Sequence, residues 1–165
     1  MLFRSYQLAD SLVEAEVLDK ARDLLAKSEG KLLLPCDMVL ADAFDSEAKK
    51  ETLPLGDVPA GWRVLDIGPE TVKTFGAEIA KAGTVVWNGP MGVFEFPRFA
   101  EGTFAVAKAV AESSAVSIIG GGDSVAAINQ SGLSDKITHI STGGGASLEM
   151  LEGLEHFQGG AAARG

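Results

Sequence analysis

Three times between residues 84 and 152 an apolar run ends in a glycine-bearing loop, and a helical pattern follows. Thr84-Val85-Val86-Trp87 leads into Asn88–Pro97 and the Ala-rich stretch 99–113. Ala115–Ile119 leads into Gly120–Gly122 and the short stretch 123–130. Ile137–Ile140 leads into Ser141–Gly145 and the stretch 146–152. Strand, turn and helix repeated at this spacing imply crossover connections, and a crossover returns the chain parallel to the strand it left. The expected fold is α/β: three layers, α/β/α, around a mainly parallel, Rossmann-like sheet. Ligands of such sheets bind at the carboxyl ends of the strands. All three loops follow strands directly, so they are expected to share one edge of one sheet. Glycine makes up 20 of the 165 residues, about 12% against a usual ~7%, and clusters of it mark turns or a close backbone approach.

The first half is less regular. Residues 8–28 carry helical spacing, with Leu8, Leu12, Ala15, Leu18 and Leu25 on one face, Asp10 or Ser11 as cap and Gly30 as stop. Lys31–Leu34 reads as a short buried strand broken by Pro35, and Met38–Ala41 as another. Residues 44–61 are polar with scattered Pro and Gly, which suits an excursion or small hairpin. Arg63–Ile67 returns to strand, and Pro69 opens a helix running to about Lys81. The last ten residues carry no core pattern, and 155–165 are expected to be a disordered tail.

The net charge is −9, from 14 basic and 23 acidic residues, and the acidity is spread along the chain. No basic face is available for DNA or RNA. A polyanion would have to be held locally, by backbone N–H groups and a metal ion. A single cysteine, Cys36, excludes an intrachain disulfide, fits a reducing compartment and is expected to be buried. No run reaches the ~18 apolar residues of a membrane span, and no secretory leader is apparent. The expected location is cytoplasmic.

Each loop admits a structural and a chemical reading. In Gly120-Gly121-Gly122-Asp123-Ser124 the glycines let a ligand reach backbone N–H groups at a helix start. Asp123 and Ser124 serve either as caps or, for Asp123, as a holder of Mg²⁺ on nucleotide phosphates. The loop is not a Walker A loop, which needs Lys followed by Ser or Thr, and position 125 is Val, which excludes G-x-G-x-x-G. In Trp87–Glu95, Met91, Val93 and Phe94 can floor a flat ring and Glu95 can accept from ribose hydroxyls; otherwise Met91 and Phe94 are buried and Glu95 is solvated. In Ser141–Glu149, Gly143–Gly145 can donate N–H groups to a transferred phosphoryl group or simply allow close packing. His139, inside an apolar strand, is expected to be packed rather than catalytic.

Taken together, Trp87-Asn88-Gly89-Pro90-Met91-Gly92-Val93-Phe94-Glu95, Gly120–Ser124 and Ser141–Glu149 resemble the nucleotide-lobe motifs of phosphoglycerate kinase, in that family's order. Leu34-Pro35-Cys36-Asp37, Ala41-Asp42 and Asp66–Thr71 match as well. The resemblance covers about residues 8–154 and marks 1–154 as a partial nucleotide-binding lobe. It implies reversible phosphoryl transfer between 1,3-bisphosphoglycerate and MgADP, giving 3-phosphoglycerate and MgATP, a glycolytic step. It implies that Glu95 holds the ribose, with Asn88, Gly89, Pro90 and Val93 near the nucleoside. Gly121, Gly122, Asp123 and Ser124 would hold the phosphates, Asp123 would hold Mg²⁺, and Gly143, Gly144 and Gly145 would meet the moving phosphoryl group.

Members of the family are longer and two-lobed. Their amino-terminal lobe supplies the basic residues that bind phosphoglycerate, and no such lobe is present here. The first βα units of the nucleotide lobe are also absent, so the sheet is expected to be incomplete. Phosphoryl transfer depends mainly on positioning and charge stabilisation. The chain alone is therefore expected to bind nucleotide weakly and to show no kinase turnover. The alternatives are a non-catalytic nucleotide-binding or assembly module, or a fragment unable to fold.

Overall fold

The computed structural model describes residues 7, 9–11 and 18–141. These residues divide into two units that the chain visits alternately: one holds residues to 78 and 91–106, the other 79–90 and 107 onward.

In the first unit, β1 (Asp37–Ala41) lies between β2 (Lys50–Pro54) and β3 (Arg63–Ile67), antiparallel to both. The connections 42–49 and 55–62 are too short for a crossover helix, which needs a dozen or more residues. Residues 44–61 thus contain a hairpin strand, and the mainly parallel arrangement does not extend to residues 37–67. β1 is buried along its whole length. Val39 and Ala41 meet Leu65 and Phe99 on one face, while Met38 and Leu40 meet Val58 on the other. That is the period-two alternation of a strand covered on both sides. Helix α1 (Leu18–Lys27) contributes no buried residue. Residues 12–17, where the expected helix would begin, lie outside the described part.

Lys31–Leu34 is not a buried strand. Leu32, Leu33 and Leu34 are 47%, 45% and 47% exposed, and the segment carries no strand pairing. An apolar run becomes a strand only when neighbouring strands take its backbone hydrogen bonds, and no strand flanks this one among the described residues. Cys36, at the end of the segment, is exposed rather than buried, although its carbonyl accepts from the Leu55 N–H at 2.9 Å.

Helix α2 (Pro69–Ile79) starts at the proline, as expected. Its cap comes from β1: Asp37 accepts from the N–H groups of Glu70 at 2.9 Å and Thr71 at 2.8 Å, and from the Thr71 hydroxyl.

In the second unit, β4 (Thr84–Asn88), β5 (Val116–Gly120) and β6 (His139–Ser141) form a parallel sheet in the order β4-β5-β6. Helix α3 (Glu101–Glu112) crosses over between β4 and β5, and α4 (Gly122–Ser131) between β5 and β6. The rhythm read between residues 84 and 141 is therefore an α/β sheet, small and incomplete. Trp87, Val110, Ile119, Ala127 and Ile128 are buried in this unit. Register between β5 and β6 is reinforced by a reciprocal pair. The Ser117 N–H donates to Thr138 Oγ1 at 3.1 Å, and the Thr138 N–H donates to Ser117 Oγ at 3.0 Å. His139 is exposed rather than packed: it lies on β6, which is hydrogen-bonded to β5 alone among the described strands.

Candidate functional site

The parallel register aligns the loops of interest. Asn88 pairs with Gly120, and Gly120 with Ser141, so the three strands end side by side. Beyond β5, Gly121 turns the chain with φ +91° and ψ 141°, a region that L side chains rarely adopt. A methyl group added to Gly121 would also lie 2.7 Å from Asn88 Oδ1. Helix α4 begins at the next residue. Its first intrahelical bond runs from the Val125 N–H to the Gly121 carbonyl at 3.0 Å, and no side chain caps it. Asp123 is exposed in the first turn and does not act as a cap. Ser124 is fully buried, and its Oγ accepts from the Gly89 N–H at 2.6 Å. The Gly89 carbonyl in turn accepts from Trp87 Nε1 at 2.6 Å. The second unit thus brings together Asn88, Gly89 and Pro90 with Gly121, Gly122, Asp123 and Ser124. The exposed groups on this edge are Asn88, Gly122 and Asp123.

Val93 and Glu95 belong to the first unit. Thr103 Oγ1, fully buried on α3, accepts from the N–H groups of Met91 and Gly92, both at 3.1 Å. The Val93 N–H donates to the Leu65 carbonyl at 2.8 Å, and its side chain packs on the Val39–Phe99 cluster. Phe94 is buried and Glu95 is exposed. Of the apolar trio, Met91 and Val93 line an open cavity of about 810 Å³ together with Met38, Leu65 and Asp66, whereas Phe94 does not.

Two aspartates of this unit, Asp37 and Asp66, stand in the matching strings without an assigned role, and both are buried. Asp66 is 2% exposed, and its Oδ2 accepts from the Gly102 N–H at 2.7 Å, in the first turn of α3. Burial pushes its carboxyl up to about 6, against the opposing pull of the Gly102 and Ile67 N–H groups and of Lys50; Glu101 adds a small upward push. For Asp37 burial also pushes upward, but the Thr71 hydroxyl and the N–H groups of Glu70 and Thr71 outweigh it and leave the carboxyl below its ordinary value. Both aspartates act on helices that start more than thirty residues further along, which no local motif reveals. Thr103 carries no sequence signal either, since its partners Met91 and Gly92 lie outside its own helix.

Gly143, Gly144 and Gly145 lie outside the described residues. Among those described, no group of three or more His, Cys, Asp or Glu could hold a metal ion. Magnesium on a nucleotide is commonly held by one or two carboxylates with phosphate oxygens completing the shell. Asp123, exposed and not engaged as a cap, fits that donor set. No helix among the described residues is long and apolar enough to cross a membrane.

The family model for phosphoglycerate kinase matches residues 1–154. A phosphoglycerate kinase from Herpetosiphon aurantiacus is 58% identical over 156 residues, covering 93% of this chain and 40% of the relative. One from Roseiflexus sp. (strain RS-1) is 56% identical with the same coverage. The solved structure of phosphoglycerate kinase from Coxiella burnetii superposes with a TM-score of 0.85 at 44% identity, covering 90% of this chain and 39% of that one. The chain thus spans about two fifths of the length of the curated relatives it matches.

Proposed function

The chain belongs to the phosphoglycerate kinase family, and from that premise we propose that it carries the nucleotide-binding part of a reversible phosphoryl transfer. In that reaction 1,3-bisphosphoglycerate and MgADP give 3-phosphoglycerate and MgATP. The observation that carries the reading is the start of α4, where a Gly121 turn presents a helix N-terminus without a side-chain cap and an exposed Asp123. Backbone N–H groups at such a start, with the helix dipole behind them, attract phosphate. In the second unit, Gly121, Gly122 and Asp123 are assigned to the nucleotide phosphates, with Ser124 in the same turn and Asn88, Gly89 and Pro90 toward the nucleoside. In the first unit, Val93 is assigned to the nucleoside and the exposed Glu95 carboxylate to the ribose hydroxyls. Gly143, Gly144 and Gly145 are assigned to the transferred phosphoryl group. Asp123 would hold Mg²⁺, which when bound neutralises charge on the phosphates.

The acidic balance of the chain supports this division of labour, since phosphate binding then leans on N–H dipoles and metal rather than on lysines. Phosphoglycerate recognition is assigned to parts of the longer relatives outside the two fifths that these 165 residues match, and these residues by themselves are expected to bind nucleotide without turnover. A cytoplasmic location rests on the single cysteine; a chloroplastic relative from Volvox carteri shows that the family is not confined to one compartment.

Titration calorimetry with MgADP tests the reading. Binding in the micromolar to millimolar range, weakened at least about tenfold in Glu95→Ala by loss of its charge-assisted hydrogen bonds, is the expected result. No heat at millimolar nucleotide would refute it. Sustained ATP formation from 1,3-bisphosphoglycerate by the purified chain would overturn the absence of turnover.

A further inference from the structure

Gly89 is gripped at both of its peptide groups. Its N–H donates to Ser124 Oγ and its carbonyl accepts from Trp87 Nε1, each at 2.6 Å. Gly89 itself sits at φ +94°. Glycine can visit that conformation but has many others open to it, so one geometry persists only if neighbours hold it. Both grips come from buried side chains: Trp87 is 5% exposed and Ser124 0%. Gly89 itself is half-buried, so water competes for these bonds less than it would at a fully exposed site, which strengthens them. Next to Ser124, Asp123 faces solvent, so the first turn of α4 has one outward polar side chain and one inward.

We infer that Ser124 is a positioning residue, whose hydroxyl locks the Asn88–Pro90 turn to the first turn of α4 and influences nucleotide only through that turn. A serine hydroxyl has a single proton and two acceptor sites. With one acceptor site taken by Gly89 and the whole side chain buried, the hydroxyl serves the fold rather than the surface on which a phosphate would land. Gly121 belongs to the same device, because its missing side chain lets Asn88 lie against the turn. The effect on affinity rests on the nucleotide reading above; the lock itself does not.

The test uses the full 165-residue chain, labelled with nitrogen-15, and reads amide exchange at Gly89 without nucleotide. In Ser124→Ala the Gly89 amide is expected to exchange roughly tenfold faster, as for loss of one buried hydrogen bond, while Ser124→Thr keeps native protection. Should Ser124→Ala lose its cooperative melt, Ser124→Cys carries the same reading, because a thiol is a weaker acceptor of similar size. MgADP affinity is then measured in Ser124→Ala, Trp87→Phe and the double variant. A shared role in holding Gly89 predicts that the two losses overlap and do not multiply. Unchanged Gly89 exchange in Ser124→Ala and Ser124→Cys would overturn the proposal. So would losses of affinity that multiply, which would make the hydroxyl a direct ligand contact. If the native chain binds no MgADP, the nucleotide reading fails separately, and Gly89 exchange alone decides for or against the lock.

Discussion

The two units finish their helix starts in opposite ways. In the antiparallel unit, the first turns of α2 and α3 are met by carboxylates from the neighbouring sheet, Asp37 on β1 and Asp66 on β3. In the parallel unit, α4 follows a glycine turn and has no side-chain cap. A helix start leaves N–H donors without intrahelical partners, and something must satisfy them. Where the protein supplies a buried carboxylate, the helix start is part of the scaffold. Where it supplies none and leaves the turn at the surface, the donors are open to water or to an anion from solution. The contrast separates a scaffold Asp from a solvent-facing Asp without reference to any relative: Asp37 and Asp66 are buried and Asp123 is exposed.

The sharpest way to break this contrast is Asp37→Ala. The change strands the N–H groups of Glu70 and Thr71, while the Thr71 hydroxyl keeps the Asp37 carbonyl as acceptor, so a loss of about 2–4 kcal/mol is expected in urea unfolding. A loss below about 1 kcal/mol would show that α2 does not depend on β1 for its cap.

The pH dependence separates the two aspartates by sign. Asp66 has a folded-state pKa raised from 3.8 to about 6. Between those values the folded state binds more protons than the unfolded chain, so the Asp66 contribution makes stability fall as pH rises. It is fully present below the unfolded value and lost as pH climbs through about 6, on the order of 3 kcal/mol over the window. Asp37 has a depressed value, so its contribution is present above its ordinary 3.8 and is lost as pH falls through the lower folded value. Unfolding midpoints from pH 4 to 7 for native protein and Asp66→Asn check this. The native-minus-variant difference should grow toward acid above the unfolded value, and a flat difference would remove Asp66 as its source.

The smallest expected effect is the most diagnostic. Asp123→Asn should change stability by no more than about 0.5 kcal/mol, because the side chain caps nothing. The same variant should lose most of the Mg²⁺ dependence of ADP binding. A destabilisation comparable with that of Asp37→Ala would put Asp123 in the scaffold after all.

Legibility in the sequence followed the range of the forces involved. The rhythm of residues 84–141 was readable because strand, glycine turn and helix each leave a local signature, and their spacing alone implies the parallel register that aligns Asn88 with Gly120 and Ser141. The Pro69 helix start was readable for the same reason. Leu32-Leu33-Leu34 misled because apolarity states a preference for burial but cannot supply the neighbour that buries it. The exposure of Cys36 and His139 likewise depends on what lies beside them, not on their own composition. The roles of Asp37, Asp66 and Thr103 are not legible locally, because each acts on backbone groups distant in sequence. The sequence marks Ser124 as a candidate for phosphates, but its grip on Gly89 depends on β4 and β5 lying side by side.

The alternation of the chain between units has a consequence for how the protein is made. Phe99, fully buried at the centre of the first unit's core, lies in the stretch 91–106, which follows the first strand of the second unit. During synthesis from the amino end, the ribosome has therefore released β4 before the antiparallel sheet receives the residue that completes its packing. Neither unit can be finished while the other is unstarted. Folding in chain order therefore leaves the core of the antiparallel sheet open until Phe99 is available, and an open core is the state most prone to unwanted association.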